Sequence, residues 1–170
     1  MNRVAGIDCG TNSVRLLIAD AADGQLHDVH REMRIVRLGE GVDATGEFAP
    51  AALERTRAAL ADYAELLAAH SVPRVRMVAT SAARDAANRA AFFTMTAEVL
   101  GAAVPGAVAE VISGQEEAAL SFRGAVGEFD SADGPFVVVD LGGGSTEIVL
   151  GDVTEGVSAS FSADVGCVRL

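Results

Sequence analysis

The chain has 170 residues, half of them hydrophobic, and a formal net charge of −11. That composition can bury a core, so it excludes a disordered chain and fits one domain, or one domain with part of another. The acidic balance and the scattered basic residues exclude specific nucleic-acid binding, and no apolar run approaches the ~20 residues of a membrane span.

Three strands joined by short turns are predicted at the start of the chain. Apolar runs occupy residues 4–8 and 14–20 on either side of a tight turn. A third strand is predicted at 26–38, with Val29, Met33, Ile35 and Leu38 as its apolar members. Short connections of this kind predict an antiparallel meander.

Strands and helices then alternate, which predicts parallel pairing in that part of the sheet. After a first helix that begins near Pro50, the predicted elements are a strand at 74–80, a helix at 86–100, a strand at 108–112 and a helix at 114–126. Beyond a turn-rich linker, three more strands are predicted at 136–140, 146–151 and 156–163.

One glycine-rich turn occurs twice, 132 residues apart, at Asp8–Ser13 and at Asp140–Ser145. Asp, Gly and Ser occupy matching positions, and an apolar strand that ends in Asp follows each turn. The repeat predicts a first lobe at 1–126, a linker at 127–135, and the opening strands of an incomplete second lobe at 136–170.

The chemistry of this turn points to phosphate. Glycine permits a sharp bend, and the exposed backbone N–H groups can form a concave nest for an anion, to which Ser adds a hydroxyl. The Asp carboxylate would repel phosphate directly and is better suited to Mg²⁺. Two ordinary glycine hairpins are the alternative interpretation.

Glu117 lies in the first turn of the helix at 114–126, where the helix dipole favours an ionised carboxylate. Its neighbour Glu116 has a capping role, because Ser113 precedes it by three residues in a capping-box pattern. Glu117 points to another side of the helix, where it can take a proton from water. A solvated helix start is the alternative for Glu117.

Arg84 and Glu147 are further candidates. Arg84 follows a strand end, where ligands bind in α/β sheets, and its guanidinium suits phosphate oxygens. A surface ion pair with Asp85 is the alternative. Glu147 follows the second turn and is predicted either to join a metal site or to be a plain strand-face charge.

The two cysteines, Cys9 and Cys167, have no metal-ligand spacing. Both are expected to be buried free thiols, which favours a cytoplasmic location, as does the absence of a secretory leader pattern at the N-terminus. A reactive thiol at Cys9, beside the first turn, is the alternative.

Five segments together resemble the exopolyphosphatase and guanosine pentaphosphate phosphohydrolase (Ppx/GppA) family, within the actin, Hsp70 and sugar-kinase superfamily. Ser113–Ala118 is the most discriminating, because actin-like ATPases and sugar kinases do not share it. The other segments are Ile7–Ser13, Ala79–Arg84, Val139–Glu147 and Gly166–Leu170.

The resemblance implies an α/β, ribonuclease H-like lobe of order β-β-β-α-β-α-β-α, followed by the first three strands of a second such lobe. It implies hydrolysis of a terminal phosphoanhydride of polyphosphate or of the 5′ end of pppGpp, with Mg²⁺ as cofactor. Glu117 matches the general base, assisted by Arg84. The expected metal ligands are Asp140, Glu147, Asp8 and Glu117, and the expected phosphate-binding residues are Gly10, Thr11, Asn12, Ser13, Arg84, Gly142, Gly143, Gly144 and Ser145.

Two other functions stay open on the same scaffold: a (p)ppGpp-binding or phosphate-binding sensor without turnover, and an actin-like ATPase or kinase. Members of the family continue well beyond this length, so the chain by itself is expected to show little turnover. A homodimer is left open as the oligomeric state.

Overall fold

The computed structural model describes residues 2–169, which form eight strands and five helices. The strands are β1 (Asn2–Cys9), β2 (Ser13–Ala22), β3 (Gln25–Ile35), β4 (Val75–Ala79), β5 (Ala109–Val111), β6 (Phe136–Leu141), β7 (Thr146–Asp152) and β8 (Gly156–Ala163). The helices are α1 (Val42–Thr45), α2 (Pro50–Ala69), α3 (Ser81–Asp85), α4 (Arg89–Gly101) and α5 (Gly114–Val126).

The first sheet has five strands in the order β3-β2-β1-β4-β5. The strands β1, β2 and β3 pair antiparallel through short turns, whereas β1, β4 and β5 pair parallel. Parallel neighbours need a crossover connection, which α2 and then α4 supply. The antiparallel meander and the parallel pairing predicted from the sequence are both confirmed.

The chain forms two compact units, and the first covers residues 1–111. The core of this first unit lies between one face of the five-stranded sheet and the helices α2 and α4. Alternation along β1 and β2 turns Ile7, Leu16 and Ile18 toward the helices, and all three are buried. They join Leu60 and Phe92 in a single hydrophobic cluster. Along α2, Leu60 and Leu67 are buried, while Leu53 and Ala64 are half-buried.

The third strand ends at Ile35, three residues before the predicted end at residue 38. Val29, Met33 and Ile35 are exposed, and Leu38, which is buried, lies beyond the end of the strand. Alternate residues such as Glu32 and Arg34 take the helix side, where Arg34 forms an ion pair with Asp62 of α2 and another with Glu32 of the same strand.

The predicted helix at 86–100 begins three residues later, at Arg89. The side chain of Asn88 both accepts a hydrogen bond from the backbone N–H of Phe48 and donates one to its carbonyl oxygen, at 2.8 and 3.0 Å. These bonds fix Asn88 in a non-helical conformation at the N-cap of α4, so the helix starts only after it.

The second unit consists of α5 and the antiparallel sheet β6-β7-β8. Ala118, Phe122 and Val126 of α5 pack with Val149 to form its core. The observed bounds of α5 and β8 agree residue for residue with those predicted.

By its contacts the chain divides into two compact units between Val111 and Ile112, while the lobe boundaries at residues 126 and 135 stay a prediction from the repeat. The cause is the packing of α5, whose buried face belongs to the second core. In terms of contacts, the segment 112–126 is therefore part of the second unit.

No described helix combines the length and the hydropathy that a bilayer crossing requires. Cys9 is buried as predicted, but Cys167 is exposed, because it lies in the irregular segment after β8.

Candidate functional site

The two glycine turns are built in the same way. The Gly10 N–H donates to the Ser13 carbonyl oxygen at 2.9 Å, and the Gly142 N–H donates to the Ser145 carbonyl oxygen at 2.9 Å. The register of the flanking strands also repeats, so the sequence duplication corresponds to a duplicated backbone. A Cβ at Gly142 would lie 2.8 Å from the Ser145 oxygen, which is why that turn needs glycine.

The first turn has a cation beside its aspartate. Arg15 lies opposite Asp8 in the β1–β2 pair, and its Nη1 donates to Asp8 Oδ2 at 3.2 Å. The opposite charge stabilises the Asp8 carboxylate within the protein itself. Asp8, which was predicted as a metal ligand, is therefore less suited to that role than its counterpart in the second turn.

The structure brings the helix that carries Arg84 to the first turn. The Thr11 hydroxyl lies 2.8 Å from the Ser81 hydroxyl, and Ser81 is the first residue of α3. Since β1 and β4 are parallel neighbours, their carboxyl ends meet at one edge of the sheet. Arg84, which is half-buried, follows one turn later on α3.

The second turn has a carboxylate where the first has Arg15. Asp140 and Glu147 lie directly opposite each other in the β6–β7 pair. The Ser121 hydroxyl donates to Asp140 Oδ2 at 2.6 Å, and the Ser162 hydroxyl donates to Glu147 Oε1 at 2.9 Å. Glu147 is only 1% exposed. Two facing carboxylates, each held by a serine hydroxyl, provide oxygen donors of the kind that divalent cations prefer.

Glu117 lies on the helix that covers this acidic pair. It is half-exposed in the first turn of α5, and the Ser113 hydroxyl caps that turn by accepting from the Glu116 N–H at 3.1 Å. Ser121, the residue that contacts Asp140, follows Glu117 by four positions and therefore lies on the same face of the helix. That face is directed at the end of β6 where Asp140 is found.

Among residues 2–169, no group of three or more acidic, histidine or cysteine side chains is close enough to form a metal cage. A magnesium ion does not require one, because it is commonly held by one or two carboxylates together with water and substrate phosphates. The oxygen donors of Asp140 and Glu147 fit that requirement.

The Cys9 thiol is not a reactive group. Burial raises its pKa well above the ordinary value, and the nearby Asp8 charge adds to the increase. The thiol therefore stays protonated near neutral pH, which leaves Cys9 as a packed core residue.

Two sets of residues that contact the turns were not identified from the sequence. The first is the pair of serines, Ser121 and Ser162, whose role depends on contacts between distant elements. The second is the backbone after β3 and after β8, which donates hydrogen bonds to both turns. A sequence signal for this second set exists, since Val-Arg-Leu at 36–38 recurs at 168–170 with the same spacing of 132.

A profile of the Ppx/GppA phosphatase family matches residues 17–170. The chain belongs to this family. As a Ppx/GppA member it is 72% identical over 174 aligned positions to exopolyphosphatase 2 of Mycobacterium tuberculosis, covering 100% of this chain and 54% of that protein. The chain thus spans about half the length of the curated relatives it matches.

Solved structures agree with the family assignment. An exopolyphosphatase-like protein matches with a TM-score of 0.90 and 46% identity over 99% of this chain and 52% of that one. A Ppx/GppA family member of Aquifex aeolicus matches with a TM-score of 0.81 and 37% identity over 99% of this chain and 53% of that one.

A distant likeness extends to the actin-like proteins. MreB5 of Spiroplasma citri is 15% identical and matches with a TM-score of 0.52 over 99% of this chain and 54% of that one, which shows the fold alone. Together with the Ppx/GppA structures, it confirms the predicted α/β, ribonuclease H-like fold of the actin superfamily.

Proposed function

We propose that the protein to which this chain belongs is a phosphohydrolase that releases the terminal phosphate of inorganic polyphosphate. The observation that carries the proposal is the acidic pair Asp140 and Glu147 beside a glycine turn, on a chain closely similar to an exopolyphosphatase. An anion-binding turn next to a cation-binding pair suits a phosphate chain that is bound together with a metal.

In this proposal, Asp140 and Glu147 hold Mg²⁺, which supplies positive charge to the phosphate oxygens during the reaction. Each turn, at 10–13 in the first unit and at 142–145 in the second, offers backbone N–H groups and hydroxyls to phosphate, and Arg84 adds a guanidinium on the helix beside the first turn. Asp8 has a secondary role, because Arg15 already neutralises it.

Glu117 is proposed as the general base. Its carboxylate takes a proton from a water molecule, whose oxygen forms a bond to the terminal phosphorus. The bond between that phosphorus and the bridging oxygen breaks, which yields orthophosphate and a chain shorter by one phosphate. Most of the remaining rate enhancement comes from positioning and charge stabilisation.

The test compares two neighbouring glutamates in the full-length protein that contains residues 1–170. Glu117→Gln removes the base and is expected to lower kcat for phosphate release from polyphosphate by about 100-fold or more. Glu116→Gln is the matched control, since Glu116 lies on the same helical turn, and it should keep kcat within about threefold of the wild type. Full activity of Glu117→Gln would contradict the mechanism.

The same assay separates the neighbouring functions. Release of the 5′-terminal phosphate of pppGpp needs the same chemistry, so both substrates should be compared side by side. Tight (p)ppGpp binding without phosphate release would favour the sensor, and ATP-dependent transfer to a second substrate would favour the kinase. The cytoplasmic location and the homodimer stay predictions.

A further inference from the structure

The backbone after β8 folds back onto the second glycine turn. The Cys167 N–H donates to the Gly142 carbonyl oxygen at 3.0 Å. The Val168 N–H donates to the Gly143 carbonyl oxygen at 2.9 Å, and the Arg169 N–H reaches that same oxygen at 3.2 Å. Three consecutive donors thus hold two consecutive carbonyls of the turn.

Gly166 permits this approach. A Cβ at Gly166 would lie 2.4 Å from the carbonyl carbon and oxygen of Gly143 and 2.6 Å from the Gly144 nitrogen. All three are backbone atoms, which cannot move aside as a flexible side chain would. We refer to Gly166–Arg169 as the latch, and its contact with the turn requires glycine at its first position.

The latch determines the direction in which the amides of the turn point. In a trans peptide the C=O and the following N–H point in opposite directions. Since the latch holds the Gly142 and Gly143 carbonyls, the N–H groups of Gly143 and Gly144 point away from it, side by side. Adjacent N–H groups with a common direction are what an anion nest requires.

We propose that the latch is a positioning element that orients the Gly143 and Gly144 amides for phosphate. The inference rests on the proposed function and extends it from the turn itself to a segment that would not contact substrate. It assigns a role to Gly166, which otherwise has no catalytic chemistry.

The first unit carries a related arrangement, shifted by one position along the turn. The N–H groups of Val36 and Arg37 donate to the Asn12 carbonyl oxygen at 2.9 and 2.8 Å, and the Gly39 N–H donates to the Thr11 carbonyl oxygen at 2.8 Å. Gly39 also lies against the turn, since a Cβ there would be 2.3 Å from Thr11 Cγ2. Both glycine turns therefore have two consecutive carbonyls held by the chain that leaves the third strand.

The test uses the amide signals of Gly143 and Gly144 in ¹⁵N-labelled full-length protein, titrated with tripolyphosphate in the presence of Mg²⁺. In the wild type both signals are expected to shift. Gly166→Ala is expected to weaken tripolyphosphate binding by about 10-fold to 100-fold, the cost of misplacing binding groups by an ångström or less. The signals of α5 and β6 should stay in place, which a general loss of folding would not allow.

A second variant tests the same contact without inserting an atom into the backbone interface, which lowers the risk of misfolding. The Thr146 hydroxyl donates to the Val165 carbonyl oxygen at 2.5 Å and ties the start of the latch to β7. Thr146→Val removes this bond without adding volume and is expected to weaken binding about fivefold, as for one lost hydrogen bond. Gly124→Ala is the control, since a Cβ there meets nothing within 4 Å.

The outcomes separate the two proposals. If tripolyphosphate leaves the wild-type Gly143 and Gly144 signals unmoved, phosphate binding by this turn is contradicted. The positioning role proposed for the latch is then contradicted as well. If the wild type binds through these amides, and the folded Gly166→Ala and Thr146→Val variants bind equally well, the latch is wrong while the proposed function stands.

Discussion

At the residue scale, one difference between the repeats separates their chemistry. Arg15 faces Asp8 in the first turn, whereas Glu147 faces Asp140 in the second. Opposite charges across a strand pair are stabilising, while two carboxylates directly opposite repel each other. The second turn therefore has a free-energy cost that the first turn does not have, and a bound cation would remove it.

This asymmetry predicts a metal-dependent stability. Without Mg²⁺, Glu147→Gln should be at least as stable as the wild type, because it removes the repulsion with Asp140 while its amide oxygen can still accept from Ser162. With Mg²⁺, the midpoint of thermal unfolding should rise for the wild type and stay constant for the variant. Glu155→Gln, an exposed change in the same unit, serves as the control. An equal rise in both proteins would exclude Glu147 as a ligand.

Tyr63 offers a second residue-scale prediction, on stability. It is fully buried, and its hydroxyl donates to the Val14 carbonyl oxygen at 3.0 Å. Tyr63→Phe removes this buried hydrogen bond and should lower the free energy of unfolding by about 1–2 kcal/mol, measured by urea denaturation at neutral pH.

Tyr63 should also govern part of the alkaline stability. Burial raises the pKa of Tyr63 to about 12. A raised folded-state pKa contributes stability that is present below the unfolded value of about 10 and is lost as the pH rises through the folded value. The difference in stability between wild type and Tyr63→Phe should therefore shrink between about pH 10 and pH 12. A constant difference would mean that the phenol does not titrate in this range.

The residues that bear charge in the second turn were predictable from sequence, whereas their hydrogen-bond partners were not. The strands β6 and β7 and the turn between them are contiguous in the chain, so the repeat placed Asp140 and Glu147 at the same turn. Ser121 and Ser162 reach them only because α5 covers β6 and because β8 pairs with β7 in one particular register. Nothing local in the sequence specifies either relation.

At the element scale, β3 shows why periodicity alone does not identify the inner face of a strand. Alternation predicts two faces but does not say which is inner. Here the polar face turns inward, because Arg34 forms ion pairs with Glu32 and with Asp62 of α2 and lies 5.7 Å from the centre of the Tyr63 ring. The pKa of Glu32 is held below its ordinary value chiefly by the Arg34 hydrogen bond and then by His30.

Helix α5 is the element on which the second core depends. Phe122 is buried among Ala118, Val126 and Val149 in a small cluster. Phe122→Ala should cost about 3–5 kcal/mol, because the cavity has few neighbours that could collapse into it. Hydrogen exchange should then accelerate throughout β6–β8 while the amides of β1 and β4 keep their protection.

The matched control is Phe129→Ala, a change of the same size at a residue that is 56% exposed, and its exchange rates should stay near those of the wild type. Equal acceleration in both compact units after Phe122→Ala would show that the chain unfolds as one cooperative body, contrary to its division at residue 111.

At the scale of the whole molecule, the second sheet has one face covered by α5 and the other face open. Val137, Val139, Leu141 and Phe161 on the open face are 63%, 61%, 65% and 64% exposed. The sequence predicted the three opening strands of a second lobe, but not that α5 would cover one side of their sheet. A contiguous apolar face of this kind is a site of association.

Residues 1–170 on their own are therefore predicted to self-associate through this open face. The net charge of −11 opposes association, and added salt screens that repulsion, so the sedimentation coefficient should rise with both protein and salt concentration. The double variant Val139→Thr and Phe161→Thr places a polar residue of high strand propensity at both positions and should shift the chain toward monomer. Leu26→Thr is the control, because Leu26 is 58% exposed but lies on β3 in the other unit. A wild-type chain that stays monomeric at all salt concentrations would contradict the prediction, and so would a Leu26→Thr variant that dissociates as readily as the double variant.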